Sequence, residues 1–533
     1  MKRLTPFASP APAASPLRGA LAWLWLFAPV LWMWPGRRSA LEVVLSAVLF
    51  LFCLLWRGST RMAVLALLLA GCSFLGYFFA VRSAPDEFFW FSVLGSNATE
   101  AWEYASSYRL QDWVLLLSWL LPALAAAGYL WRTGPLLRRK WARCVGWISL
   151  AVWLVWAGVS LGKGYALSKA VARVERVYPL TMLNAWLDYL HNGSDLYVVP
   201  EVAPPVVAPM VDVLVVVLGE SSSAHRWSML GYQRHDTNAP LQDWRDGLVV
   251  LPVTANGNNT GKTLPVLVTG QRMHPMPEGG AATYLDWARA AGFRRDSLTN
   301  QMAAGFVNLA LRQRSDHFLQ LQDGSFDGAL SEHLARSLAG EKKPLLVTLH
   351  MYGSHPRVER RVPEGAGRWD DAYDNSTLYT SQLLADWMGQ LNALPGVRAA
   401  LVYASDHGQD FPVCGGSYTH GVTRSTYEVP LMVWANQALR EAQPAWWQQL
   451  QQVQASAVDG QGIPRYTSLM MAQWLKVLLG QSPVPQPTSA SGWTSTAGAG
   501  NAAPSGHYPP PESRSDCGNW NAQVQRLHPA AVR

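Results

Sequence analysis

The chain has 533 residues, enough for two or three domain-sized units, and is 49% hydrophobic but only 15% charged. An ordinary soluble protein carries roughly 25% charged residues, so the deficit excludes a wholly water-facing chain and points to lipid. The formal charge of +7 does not point to nucleic acid. Lys and Arg fall at the N-terminus, in short loops between apolar segments and scattered through the second half, with no basic stripe to track a phosphate backbone.

Five apolar stretches follow a Pro- and Ala-rich N-terminal segment: Ala20–Trp34, Ala40–Trp56, Met62–Val81, Trp113–Trp131 and Val145–Leu161. Several approach the roughly 20 residues needed to cross hydrocarbon, and Trp at their ends extends the shorter ones. A cleaved leader does not account for the first stretch, because further spans follow it. Lys2, Arg3 and Arg18 precede the first span, Arg57 and Arg61 the third, and Arg132, Arg138, Arg139, Lys140 and Arg143 the fifth. Basic loops stay in the cytoplasm, and Arg37 with Arg38 is the one pair that runs against this orientation. The segment Arg82–Asp112, with Asp86, Glu87, Glu100, Glu103 and Asp112, suits the other side. Everything after Leu161 then lies outside the cytoplasm, which argues against ATP as a substrate.

The expected layout is a cytoplasmic tail at 1–19, a five-helix transmembrane domain at 20–162, juxtamembrane helices and a Pro-rich linker at 163–209, a catalytic domain at 210–480, and a Pro/Ser/Gly-rich flexible tail at 481–533. From Met210 the pattern becomes short apolar runs alternating with helical stretches. Val211–Leu218, Leu248–Val253, Leu345–Leu349, Ala399–Tyr403 and Val429–Trp434 read as strands buried on both faces. Thr283–Ala291, Leu378–Leu394 and Tyr466–Leu479 read as helices. This alternation predicts an α/β domain whose mainly parallel sheet is sandwiched by helices. Of the five cysteines, Cys414 and Cys517 fall in the exported part, where a disulfide pinning the tail is an expectation.

Ligands in such sheets gather at the carboxyl ends of the strands. The first strand runs into Gly219-Glu220-Ser221 and a later one into Ser405-Asp406-His407-Gly408. Single acidic residues there are usually turn formers or caps; Glu, Asp and His from two strand ends also form the mixed O/N set that suits Zn²⁺, with Mn²⁺ the alternative. A third feature is Asn256-Gly-Asn-Asn-Thr-Gly-Lys-Thr263. It has the Gly-Lys-Thr of a nucleotide-binding loop but Asn256 where that loop requires Gly, so the nucleotide reading fails. Thr260 is then either a helix cap or a hydroxyl placed at a helix N-terminus, where backbone N–H groups favour phosphate.

Glu220-Ser221-Ser222 with Met229-Leu-Gly-Tyr232, the Thr260 segment with Leu264-Pro265, Gly353-Ser354-His355, Ser405-Asp406-His407-Gly408 and Tyr418-Thr419-His420-Gly421 occur in that order. Together they resemble the motifs of the phosphoethanolamine transferases, membrane-anchored members of the alkaline phosphatase and sulfatase superfamily. The resemblance runs from the apolar stretches to about residue 480. It implies a bacterial inner-membrane enzyme with its catalytic domain in the periplasm, and Glu220, Thr260, Asp406 and His407 as ligands of one Zn²⁺. Thr260 would be the nucleophile, His355 and His420 would face the substrate phosphate or a second metal, and Asn300 would contact the headgroup. The donor implied is phosphatidylethanolamine; the acceptor stays open among lipid A, core sugar, periplasmic glucan and protein glycans. Two features depart from the family: Asn256 and Val266 stand where cysteines often flank the nucleophile loop, and Met302-Ala303-Ala304-Gly305 supplies no Lys after Gln301. A glycerol-phosphate transferase or a sulfatase-like hydrolase would share the Thr260 chemistry. A non-catalytic membrane scaffold would need none of these side chains.

Overall fold

A computed structural model describes residues 15–33, 50–81, most of 85–134, 140–162 and 178–192. It also describes 199–484 less 272–279, 302–305, 323, 341–343 and 416–417, and finally Cys517, Gly518 and Trp520. The chain divides into two compact units, one of residues 1–90 with 108–193, the other of 91–107 with 194–533.

The first unit is helical. Arg57–Val81, Leu110–Thr133 and Lys140–Gly162 cover the third, fourth and fifth apolar stretches, and Pro16–Phe27 with the 3-10 helix Ala28–Met33 accounts for the described part of the first. Most of the second stretch (40–49) lies outside the described residues, as do 163–177 of the expected juxtamembrane helix; Leu180–Asn192 is helical. Among the described residues, two helices, Arg57–Phe79 and Leu110–Thr133, are long and apolar enough to cross a membrane, against the five spans expected. Each is two-faced without being polar: Val64, Leu67 and Phe74 are buried while Leu65 and Leu69 are exposed, and Trp119 and Ala123 are buried while Leu117, Leu121 and Leu124 are exposed. An outward face of bare leucines is stable against lipid rather than water.

The second unit is a three-layer α/β/α domain. Its strands are β1 (Val213–Gly219), β2 (Leu248–Thr254), β3 (Arg294–Thr299), β4 (His317–Gln320), β5 (Leu345–His350), β6 (Ala399–Ser405) and β7 (Glu428–Ala435). They form one sheet in the order β2-β7-β6-β1-β5-β3-β4. The sheet is mixed: β1, β3, β4, β5 and β6 pair in parallel, and β7 runs antiparallel to both β2 and β6. Alternation along β1 shows why its sequence is unbroken Val and Leu. Leu214, Val216 and Leu218 enter the core that the helices Thr260–Thr269, Tyr284–Ala290 and Leu469–Leu478 cover, while Val213, Val215 and Val217 enter the core covered by Ala329–Leu338 and Ala372–Asn392. A strand covered on both faces has no position for a polar residue until it leaves the sheet. Polar residues therefore concentrate at the strand ends. Cys414 and Cys517 are joined in a disulfide.

Candidate active site

The register pairs Gly219, the last residue of β1, with Ser405, the last of β6. Glu220 and Asp406 therefore leave the sheet side by side at its carboxyl edge, with His407 next. Thr260 arrives from the loop after β2. Asn259 is extended, and its side chain accepts the Lys262 N–H at 3.2 Å, so Asn259 caps the helix and Thr260 is its first residue. Of the two roles open to Thr260, the cap is thus taken by its neighbour. The Thr260 hydroxyl lies 3.2 and 3.4 Å from the two Glu220 carboxylate oxygens and 3.3 Å from His407 Nε2. His407 Nδ1 sits 2.7 Å from the Gly408 carbonyl, an acceptor only, so Nδ1 carries the hydrogen and the Nε2 lone pair faces the cluster.

The turn after β1 is held from several sides. Ser221 adopts a left-handed φ of 58°; its N–H donates to Asp406 Oδ1 at 3.0 Å and its hydroxyl to Glu220 Oε1 at 2.6 Å. The Tyr373 hydroxyl donates to the Ser221 carbonyl at 2.6 Å and accepts the Ser223 N–H at 2.8 Å. Gly353, at φ 55°, passes so close that a Cβ there would stand 2.5 Å from the Glu220 carbonyl oxygen.

The donor set fits a divalent cation. Single ligand atoms of Glu220, Asp406 and His407 all lie within 4.8 Å of one another, and all three side chains are buried. Burial, then the negative charge of Asp406, pushes the Glu220 carboxyl well above its ordinary range. Asp406 Oδ1 also accepts the His407 N–H at 2.7 Å, but its Oδ2 is buried with no hydrogen-bond partner. Two adjacent buried carboxylates, one with an orphaned oxygen, are costly without a positive charge between them. Two carboxylates, an imidazole nitrogen and the Thr260 oxygen are a four-ligand set for Zn²⁺, with Mn²⁺ the alternative.

The remaining expected residues divide. The His420 ring lies 4.7 Å from the His407 ring. His355 follows β5 and packs edge-on against Tyr352 at 5.0 Å. Burial, then the positive charge of Arg361 and the neighbouring His407 ring, brings His355 down to about 3; burial, then the His407 and His355 rings beside it, also lowers His420, so both are neutral imidazoles near neutrality. Asn300 has different company. Its amide donates to the Ser325 carbonyl at 3.0 Å and to Asp327 Oδ1 at 2.8 Å, and Asp327 also accepts the N–H groups of Tyr352 and Gly353 at 2.8 Å each. Asn300 thus props the carboxylate that anchors the turn before His355.

Three contributors carry no motif. Gln301 Nε2 donates to the Met351 carbonyl at 2.8 Å and reaches to 3.5 Å from Glu220 Oε2; its place beside Asn300 is the one hint the sequence offers. Tyr373 lies in the first turn of the helix Ala372–Asn392, ahead of the stretch Leu378–Leu394 that reads as helical. Glu103, in the helix Ala98–Ser106 of the acidic segment, pairs with Arg361 and lies 3.8 Å from His355 Nδ1.

Residues 212–459 match the sulfatase family model. The chain is 24% identical over 412 residues to phosphoethanolamine transferase EptC of Escherichia coli, covering 66% of this chain and 70% of that one. It is 24% identical over 481 residues to phosphoethanolamine transferase CptA of Salmonella typhimurium, covering 79% and 78%. Other matches are shorter: the chain spans 44% of the length of the E. coli protein YhbX and 46% of phosphoethanolamine transferase OpgE. In three dimensions it resembles the integral membrane lipooligosaccharide phosphoethanolamine transferase EptA of Neisseria meningitidis, with a TM-score of 0.57 at 18% identity over 88% of this chain and 95% of that one; this similarity is one of fold. The chain thus carries a sulfatase-type domain and is similar, over most of its length, to phosphoethanolamine transferases.

Proposed function

We propose that the chain moves phosphoethanolamine from phosphatidylethanolamine to an envelope glycolipid or glycan through a phospho-Thr260 intermediate. The observation that carries the proposal is the Thr260 hydroxyl on the first residue of a helix, 3.2 Å from Glu220 and 3.3 Å from His407 Nε2. Zn²⁺ held by Glu220, Thr260, Asp406 and His407 would supply the lowered hydroxyl pKa that makes a threonine nucleophilic at neutral pH. Thr260 and Gly261 open this helix, a position where backbone N–H groups favour phosphate. Thr260 Oγ1 attacks phosphorus, and the bond from phosphorus to the glyceryl oxygen breaks, releasing diacylglycerol once that oxygen gains a proton. An acceptor hydroxyl or phosphate then takes the group and restores Thr260. His355 and His420, neutral near pH 7, are the groups to pass the Thr260 proton to the glyceryl oxygen in the first step and a hydroxyl acceptor's proton back to Thr260 in the second.

The donor is a membrane lipid, and the helices of the first unit suit an anchor beside it. We place the chain in the bacterial inner membrane with five spans and the α/β unit in the periplasm. The relatives named phosphoethanolamine transferases support the transferred group, and lipooligosaccharide in the name of the Neisseria protein supports an envelope acceptor. The test is mass spectrometry of envelope glycolipids and glycans from cells with and without the gene. A phosphoethanolamine difference on one acceptor class is expected. Identical profiles, with the purified protein releasing phosphoethanolamine only to water, would assign it to the hydrolases instead.

A further inference from the structure

We infer that Cys517 and Trp520, close to the C-terminus, form a strap that positions His420; the inference rests on the site role given to His420 above. His420 lies in the connection from β6 to β7. That connection is a narrow hairpin in which Asp410 N–H donates to the Thr419 carbonyl at 2.8 Å and Tyr418 N–H to the Asp410 carbonyl at 3.0 Å. Its tip is the turn Pro412–Cys414, where none of the three side chains is buried and Val413 is 54% exposed. A tip with so little apolar burial is not held by core packing and opens easily unless tied down.

The tail supplies two ties, one on each side of His420. Cys414 is bonded to Cys517, 103 residues away in sequence. Trp520 N–H donates to the Val422 carbonyl at 2.7 Å, and its ring lies 5.2 Å from the Arg424 guanidinium. Arg424 is itself fixed: it pairs with Glu428, which accepts from His225 at 2.8 Å, and all three are buried. The ring therefore rests on an immobile cation rather than a surface arginine. The two ties fall six residues before His420 and two after it, so they fix the short stretch that carries the imidazole.

The same stretch touches the nucleophile. The Gly421 carbonyl, next to the one that Trp520 holds, accepts Asn258 Nδ2 at 2.8 Å. Asn258 in turn accepts from Asn259 at 3.3 Å, and Asn259 caps the helix that begins with Thr260. Gly421 also runs too close for any side chain, since a Cβ there would stand 2.5 Å from the Asp410 Cβ. Consecutive carbonyls thus link the tail on one side to the Thr260 loop on the other. Loss of the strap loosens His420 first and the Thr260 cap second, while Glu220, Asp406 and His407 keep their strand-end anchors.

The experiment compares the full-length protein with Cys517→Ser, Trp520→Ala and Trp520→Phe variants. Amide exchange is read at Asp410 and Tyr418, with zinc content and kcat and KM for phosphatidylethanolamine turnover. Cys517→Ser and Trp520→Ala are each expected to speed exchange at both amides about tenfold or more. They should lower kcat by about tenfold at unchanged zinc content, and Trp520→Phe should recover most of both effects. Wild-type exchange and wild-type kcat in both variants would overturn the strap. Should Cys517→Ser fail to fold, Trp520→Ala decides with the disulfide intact. Exchange needs no substrate, so a chain that fails to transfer phosphoethanolamine sinks the functional reading while the strap stands or falls on the amides.

Discussion

Tyr373→Phe isolates one oxygen atom whose removal leaves two buried backbone groups without partners. Tyr373 is fully buried, and its hydroxyl accepts the Ser223 N–H at 2.8 Å and donates to the Ser221 carbonyl at 2.6 Å. Burial raises its own pKa, so it remains a neutral donor throughout the working range. The ring contacts with Phe411 at 5.1 Å and Tyr418 at 5.4 Å survive the change, which confines the perturbation to the hydroxyl. An unpaired buried donor or acceptor costs about 1–3 kcal/mol, and partial relaxation of the two sites brings the expected loss to about 2–4 kcal/mol. Against a typical total of about 5–15 kcal/mol this is large. It falls on Ser221, whose left-handed φ of 58° persists only while its surroundings impose it. Native-state exchange of the β1 amides is the assay, since that strand opens only with the whole unit. The loss corresponds to exchange roughly 30- to 700-fold faster. A loss below about 0.5 kcal/mol would refute the reasoning, because it would mean that the turn carrying Glu220 does not need the hydroxyl.

Three further outcomes are expected. In the metal-free chain Glu220 titrates well above its ordinary 4.5, so its contribution to stability is present below 4.5 and lost as pH rises through the folded value. Zinc must displace that proton, and the gap in melting temperature between zinc-loaded and stripped protein should widen from pH 4.5 toward neutrality; a pH-independent gap contradicts the assignment. His355→Gln should lower transfer by about 10²–10³-fold while zinc stoichiometry stays at the wild-type value; loss of zinc would make His355 a ligand instead. Gly353→Ala puts a Cβ 2.5 Å from the Glu220 carbonyl oxygen at a φ of 55°, and zinc affinity measured by competition with a chelator should fall about tenfold or more, an unchanged affinity meaning that the turn can move aside.

The strands legible in the sequence are those covered on both faces: β1, β2, β5, β6 and β7 are apolar nearly throughout, because no position in them meets water. β3 (RRDSLT) and β4 (HFLQ) were not legible: β4 is the edge strand, where exposure tolerates His317, and β3 beside it has half-buried Arg294 and Arg295 and a buried Asp296 that pairs with Arg294. The antiparallel run of β7 is a matter of connection, which composition does not record. Glu220, Asp406 and His407 were legible because strand ends are the first places a polar residue can stand. Gln301, Asp327 and Tyr373 were not, since each owes its role to a partner more than 20 residues away: Gln301 to Met351, Asp327 to Tyr352, and Tyr373 to Ser221. Asn300 shows the opposite limit, for its motif position was visible but its engagement by Asp327 was not.

The central claim is covalent: phosphoethanolamine passes through Thr260. Purified protein incubated with phosphatidylethanolamine in the absence of an acceptor, quenched in acid and digested, should yield the peptide spanning Thr260 with phosphoethanolamine attached at that residue, and Thr260→Ala should abolish both the adduct and transfer. An adduct on another side chain, or transfer undiminished in Thr260→Ala, would contradict the account.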